Sequence, residues 1–265
     1  MAVLRAVMRP IVDTVFPPTC WAEPRLPAGR SGLSEKALKA IGLLAAQRYC
    51  RRCGLGTGPF EQAHGAGNPC GRCGQRVTGV RATARVGVFA EPLVTLVHRL
   101  KFGKSWEVAR VIAPFLRHAI EEVSREVGTP VEALAPVPLH WWRRARRGFN
   151  QAEELARETA GLGDWCVATP LKRVRRTAEQ ALLDSPTRRQ ENLRGAFVAR
   201  PDRRVAGKHV WLVDDVSTTG ATLRAATAAL KRLPQEWRPA SINAAVLCIT
   251  DHDAPPLQMP DLDDH

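Results

Sequence analysis

Four cysteines fall into two short repeats, Cys50-Arg51-Arg52-Cys53-Gly54 and Cys70-Gly71-Arg72-Cys73-Gly74, with sixteen residues between Cys53 and Cys70. Two intervening residues let both thiolates of a Cys-x-x-Cys turn face one tetrahedral ion, and the glycine after each pair tolerates the turn. The doubled spacing is that of a four-cysteine zinc site. With every ligand supplied by protein, such a site is structural. In a Gly- and Pro-rich segment with little apolar core, the metal supplies much of the folding energy. Cys20 and His64 are spare candidate ligands that the four-cysteine set leaves out, while Cys166 and Cys248 lie in apolar runs and read as small buried hydrophobes.

A second constellation runs Val210-Trp211-Leu212-Val213-Asp214-Asp215-Val216-Ser217-Thr218-Thr219-Gly220-Ala221-Thr222. An apolar strand ends in two carboxylates, passes into a loop of hydroxyl residues with one glycine, and leads at once into a helix. Open α/β sheets bind ligands at this carboxyl end of their strands. The loop's N–H groups and the helix N-terminus suit a phosphate, and Gly220 lets backbone approach it. Ser217, Thr218, Thr219 and Thr222 add hydroxyl donors. Asp214 and Asp215 suit ribose hydroxyls and would offset the charge of a bound Mg²⁺. No Gly-Lys-Ser/Thr follows a Gly-rich run, which excludes a Walker A loop. Gly54-Leu55-Gly56-Thr57-Gly58 sits between cysteine ligands and runs into Pro59, so it is no dinucleotide fingerprint.

These residues need a scaffold, and the chain predicts one. Strands are expected at Thr83–Ala90, Ala133–Val137, Val210–Val213 and Ala244–Ile249. Helices are expected at Trp106–Val127 (ending at Gly128), Gln151–Ala160 and Thr222–Leu233. This alternation indicates a parallel α/β sheet. Residues 1–80 read as an N-terminal helix, with apolar residues from Val3 to Phe16 at helical spacing, followed by the zinc module. Residues 81–250 form the main domain. Residues 251–265, with five Asp and no Lys or Arg, read as a disordered acidic tail.

At 265 residues and 45% hydrophobic, the chain has the means for a sizeable core. No apolar run approaches the ~18 residues of a spanning helix. The apolar stretch at the N-terminus is broken by Arg5, Arg9, Pro10 and Asp13, which leaves no signal-peptide core. A cytoplasmic protein is expected, in which clustered cysteines bind metal instead of forming disulfides.

Charge is the unusual quantity: 39 Lys+Arg against 26 Asp+Glu, a net +13. Between Trp141 and Lys208 there are 16 basic and 8 acidic residues, +8 of that excess. Trp141-Trp142-Arg143-Arg144-Ala145-Arg146-Arg147 joins guanidinium groups to aromatics, a pairing suited to phosphate backbones with stacked single-stranded bases. Trp141, Trp142, Arg144 and Arg146 are therefore candidate nucleic-acid contacts.

The stretch around Asp214 closely resembles the phosphoribosyl-pyrophosphate loop of type I phosphoribosyltransferases. Further motifs are similar to the ComF competence-protein family: Pro136-Val137-Pro138-Leu139-His140, Arg143, Arg147-Gly148-Phe149-Asn150-Gln151-Ala152-Glu153, Arg176-Thr177 with Gln180, and Arg189 followed by Asn192. The paired cysteine knuckles ahead of them fit the same family. One departure is that the family often opens its zinc module with another Cys-x-x-Cys, whereas Cys20 is followed by Trp21-Ala22-Glu23. The resemblance implies a mainly parallel twisted sheet flanked by helices, with a small N-terminal zinc-binding module. It assigns a 5′-phosphate to Thr218–Thr222 and ribose hydroxyls to Asp214 and Asp215, with Mg²⁺ held through the ligand. It places pyrophosphate in the turn after Pro138 with Arg143 and Arg147, and a closing lid over Lys172–Asn192 that includes Arg176 and Thr177. Two functions follow. One is a phosphoribosyltransferase binding phosphoribosyl pyrophosphate with Mg²⁺, acting on an acceptor that no residue names and linked to competence machinery and DNA uptake in natural transformation. The other is a non-catalytic protein that binds and handles single-stranded DNA and keeps the ribose-phosphate pocket as a ligand site.

Overall fold

The computed structural model describes residues 19–26, 28–29, 31–57, 70–75, 78–102, 106–139, 144–145, 148–175, 193 and 195–251. The N-terminal amphipathic stretch, His64 and the tail beyond Asp251 lie outside them.

Five parallel strands form the central sheet: β1 (Thr83–Val88), β2 (Ala133–Pro136), β3 (Cys166–Val167), β6 (His209–Ser217) and β7 (Ser241–Ile249). Their order across the sheet is β1-β7-β6-β2-β3. β4 (Leu171–Arg173) and β5 (Phe197–Ala199) pair antiparallel as a separate hairpin. All six residues of β1 and the last eight of β7 are buried, as expected of strands covered on both faces.

Helices α1 (Glu35–Ala45), α2 (Leu93–Phe102), α3 (Glu107–Val127), α4 (Gln151–Ala160) and α5 (Ala221–Lys231) supply those covers. In α3 the buried residues Val108, Ile112, Leu116, Ile120, Val123 and Val127 recur every three or four positions and make one face. Gly128 ends the helix at φ 60°, a left-handed cap that glycine adopts without strain. The Ser34 hydroxyl accepts the Ala37 amide and caps α1. On one side of the sheet Ile41, Leu116, Leu155 and Trp211 share a core; on the other, Leu212, Leu223, Leu230 and Val246 share a second.

Several limits move from those the sequence predicts. β6 runs past Val213 to Ser217, because β7 extends far enough to pair it there (Asp214 with Val246, Ser217 with Ile249). β1 stops at Val88, before the turn into α2. Helices α1 and α2 and the short strands β3 to β5 are additions that the sequence pattern did not mark. No described helix is long and apolar enough to cross a membrane.

Candidate functional site

The strand order creates the site. β6 has β2 on one side and β7 on the other. After β2 the chain turns into α4, whose Leu155 and Ala156 join the first core; after β6 it turns into α5, whose Leu223 and Leu230 join the second. Consecutive connections leaving for opposite faces open a crevice at the carboxyl ends of β2 and β6, where doubly wound sheets bind ligands. The loops after Pro136 and Ser217 border it.

Asp214 and Asp215 stand inside this end of β6 and not beyond it, which corrects the shorter strand expected. Each is tied to the main chain ahead of it: the Asp215 amide donates to Asp214 Oδ1 at 2.9 Å, and the Val216 amide to Asp215 Oδ1 at 2.7 Å. Burial, and then the neighbouring Asp215 charge, push the Asp214 carboxyl up to about 7. Lys101 and Arg173 pull the other way. Lys101, near the end of α2, places Nζ 3.3 Å from Asp215 Oδ2. Arg173, on β4, lays its guanidinium 5.4 Å from the Phe197 ring centre. Sequence reasoning missed both cations as partners of the carboxylates, since neither lies near them in the chain.

The turn itself spans Thr218, Thr219 and Gly220. Gly220 has φ 73°, left-handed backbone that costs a residue with a Cβ about 1–2 kcal/mol. This lets strand turn directly into helix and leaves the first amides of α5 facing the crevice edge. The Thr219 hydroxyl accepts the Ala221 amide at 3.4 Å, and Ser217 is buried in the strand. Thr218 and Thr222 are half-buried beside them. The phosphate-type residues thus come together as one strand–turn–helix unit.

On the other border, the Val137 amide donates to Val213 O, and buried Asn150 donates to Val137 O at 3.3 Å. These bonds hold the two ends of the connection that carries the arginine cluster. Within it, Arg144 is exposed, its Nη1 3.7 Å from Glu153 Oε2. Trp141, Trp142, Arg143, Arg146 and Arg147 lie outside the described residues, as do Arg176 and Thr177. Of the expected lid, Lys172 and Arg173 pair with β5 as part of β4, and residues 176–192 lie outside the described residues.

The four knuckle cysteines converge. Sγ atoms of Cys50 and Cys73, of Cys53 and Cys70, and of Cys70 and Cys73 are each 3.7 Å apart, and all four lie within 4.8 Å of one another. A tetrahedral zinc with Zn–S near 2.3 Å has sulfur–sulfur edges of about 3.8 Å, so the cluster fits that ion. Crowded thiols cannot all ionise without a cation: a hydrogen bond from Cys53 holds Cys50 down at about 4, and the same bond pushes Cys53 up. Gly54 takes φ 79°, as the knuckle turn requires. Cys20 stands apart from the cluster. Against the upward pull of burial, amides of Glu23 and Ser34 donate to its sulfur and hold its thiol below the usual value. Cys248 is fully buried as expected, but Cys166 is half-buried and donates to Glu132 O.

This cluster is fastened to the sheet. Thr83 donates its amide to Arg51 O and its hydroxyl to Arg52 O. Buried Asp251, just beyond β7, accepts from the Gly56 amide at 2.8 Å and from Arg72 Nη2 at 2.5 Å. A cavity of about 700 Å³, bordered by Ala22, Leu26, Lys36, Ala40, Glu91 and Thr95, contains none of the crevice residues.

Comparison with known proteins agrees with this geometry. The phosphoribosyl transferase domain family matches residues 145–263. The DNA utilization protein YhgH of Salmonella typhi is 34% identical over 209 residues, covering 78% of this chain and 88% of its own. YhgH of Escherichia coli (strain K12) is 35% identical over 179 residues, 66% of this chain and 74% of its own. Competence protein F of Haemophilus influenzae is 34% identical over 195 residues, 71% and 80% of the two chains. A parallel sheet with an acidic strand end at its switch point, a four-cysteine cluster ahead of it, and likeness across most of these relatives together show that the chain belongs to the ComF family.

Proposed function

We propose that the protein binds phosphoribosyl pyrophosphate or a related ribose phosphate at the carboxyl end of β6 and transfers its phosphoribosyl group. The observation that carries this reading is the pair Asp214 and Asp215 running straight into the Gly220 turn and the N-terminus of α5. Amides and hydroxyls from Thr218 to Thr222 would hold the 5′-phosphate, and the carboxylates would accept from the ribose hydroxyls. Arg143 and Arg147 would meet the diphosphate, with Arg176 and Thr177 closing over it.

Two adjacent carboxylates, one of them pushed up to about 7 by burial and then by the other's charge, form a hard oxygen donor set of the kind that suits Mg²⁺. Bound with the diphosphate, Mg²⁺ would neutralise the leaving group. In the transfer, the bond from the anomeric carbon to the diphosphate oxygen breaks, and its electron pair leaves on pyrophosphate. A bond to the acceptor forms as the acceptor gives up a proton. The protein's share is orientation and stabilisation of the oxocarbenium-like charge near Asp214 and Asp215. The four cysteines would hold a structural zinc.

Calorimetric titration with phosphoribosyl pyrophosphate and Mg²⁺ tests binding, and pyrophosphate release across an acceptor panel tests transfer. Absence of binding overturns the reading. A second reading is favoured by the names of the relatives, DNA utilization protein and Competence protein F. In it the pocket is a ligand site on a protein that handles single-stranded DNA. Binding without pyrophosphate release, together with strand affinity that falls steeply with salt, selects it.

A further inference from the structure

The cavity of about 700 Å³ is walled by three pieces of chain: residues 22–26, the first half of α1 and the turn into α2. Ala22, Leu26, Ala37, Ala40 and Pro92 make its apolar lining, mostly small side chains that let another segment come close. Leu43, one turn beyond Ala40 on α1 and 39% exposed, carries this apolar stripe past the cavity. Both signs of charge stand at the rim, Glu23 and Glu91 against Arg25 and Lys36. The two acids are fixed in place: Glu23 accepts from the Ser34 hydroxyl at 3.2 Å, and Glu91 from the Thr95 amide at 3.3 Å. The chain reaches this wall directly from its N-terminal stretch. The Cys20 amide donates to Leu26 O at 2.9 Å, and Ala22, two residues on, already lines the cavity.

We propose that this cavity is the seat of residues 1–18 of the same chain, docked through their apolar positions. Apolar residues recur there in pairs four positions apart, from Val3-Leu4 to Val15-Phe16. As a helix, that stretch would measure about 24 Å against roughly 17 Å for α1, enough to follow the cavity and the stripe to Leu43. Arg5, Arg9 and Asp13 supply a counter-charge for each sign at the rim. Five residues separate Phe16 from Ala22, so the tether holds the stretch beside the cavity at about millimolar effective concentration. At that concentration a modest apolar contact within the chain prevails over the same contact with a second copy. A lipid surface is a poorer match. Membrane-surface helices carry a polar face rich in Lys and Arg, whereas this stretch has two arginines and an aspartate.

The test is hydrogen exchange on the full-length protein, read by mass spectrometry. Amides of residues 2–16 are expected to exchange about tenfold or more slowly compared with the denatured chain. Val7→Asp with Ile11→Asp is expected to abolish that protection while α3 and β7 keep theirs. Ala40→Arg, which fills the cavity from α1, is expected to do the same. Thr95→Arg fills it from α2, at a half-buried position, and decides the matter where Ala40→Arg also exposes α3 and β7. The seat is overturned if the wild-type segment exchanges freely in buffer; protection gained only on phosphatidylglycerol vesicles then assigns the segment to a membrane. It is overturned equally if the segment stays protected in Val7→Asp with Ile11→Asp, or in a cavity variant whose α3 and β7 remain protected. Protection that grows across about a hundredfold range of protein concentration assigns the segment to a second copy, and overturns the seat within one chain.

Discussion

Lys101 Nζ lies 3.3 Å from Asp215 Oδ2, so a helix that ends far from β6 in the chain neutralises one of the two carboxylates at its tip. Lys101 also lowers the Asp214 carboxyl, which burial and Asp215 raise. Two half-buried carboxyl groups side by side are tolerated because a cation from another element faces them.

Replacing that cation should be felt at Asp214. In Lys101→Met the Asp214 titration is expected to move upward from about 7. Carboxyl carbon NMR across pH reads this directly. An unmoved midpoint would show that the ammonium is screened from Asp214.

The raised carboxyl sets a pH dependence with a definite sign. Asp214 titrates near 7 when folded and at the ordinary 3.8 when unfolded, so between these values the folded state holds a proton that the unfolded state lacks. Its contribution to stability therefore rises as pH falls through 7 and levels off below 3.8. Ribose hydroxyls need the ionised form, so ribose 5-phosphate affinity should fall by about tenfold per pH unit below the midpoint. Calorimetry from pH 5 to pH 8 would follow it, roughly spanning the titration.

Asp214→Asn with Asp215→Asn should abolish ribose-phosphate binding while the far-ultraviolet circular dichroism stays that of the wild type. The main-chain amides that these side chains accept belong to their own strand, which ladder bonds to β2 and β7 hold independently. A lost fold would make the pair structural.

Gly220→Ala tests the turn. A Cβ at φ 73° should cost about 1–2 kcal/mol of stability by denaturant titration. Phosphate affinity should fall further than stability, because the amides of the turn shift with it.

Zinc analysis of purified protein should give one equivalent per chain. Cys53→Ser, or strong chelation, is expected to remove it and to cost about 4 kcal/mol or more. Thr83 and Asp251 both depend on the cysteine segment for hydrogen bonds, so the loss should spread to the ends of β1 and β7.

Much of this was legible in the sequence for local reasons. The apolar runs of β1, β6 and β7, the periodicity of α3 and its stop at Gly128 each carry their signal within a few residues. The Cys-x-x-Cys-Gly spacing did the same for the cluster. What could not be read depends on partners distant in the chain. Asp214 belongs to a strand only because Val246 pairs with it, and short strands such as β3 exist only through β2. Helix α1 was hidden because Gly, Pro and Cys around it suggested a metal-held coil. Lys101 showed no sign of its role, since a lysine near a helix end is usually solvated.

Strand β6 has a ladder on both sides, and each of its two carboxylates is pinned by the next amide along the chain. An arriving ligand therefore finds this half of the crevice already in its working shape. Little rearrangement separates encounter from complex, so arrival should be limited by approach to the edge. On the proposed ribose-phosphate reading, residence time, set by how many of these fixed groups a given sugar phosphate engages, would then be the quantity by which the protein tells its ligands apart.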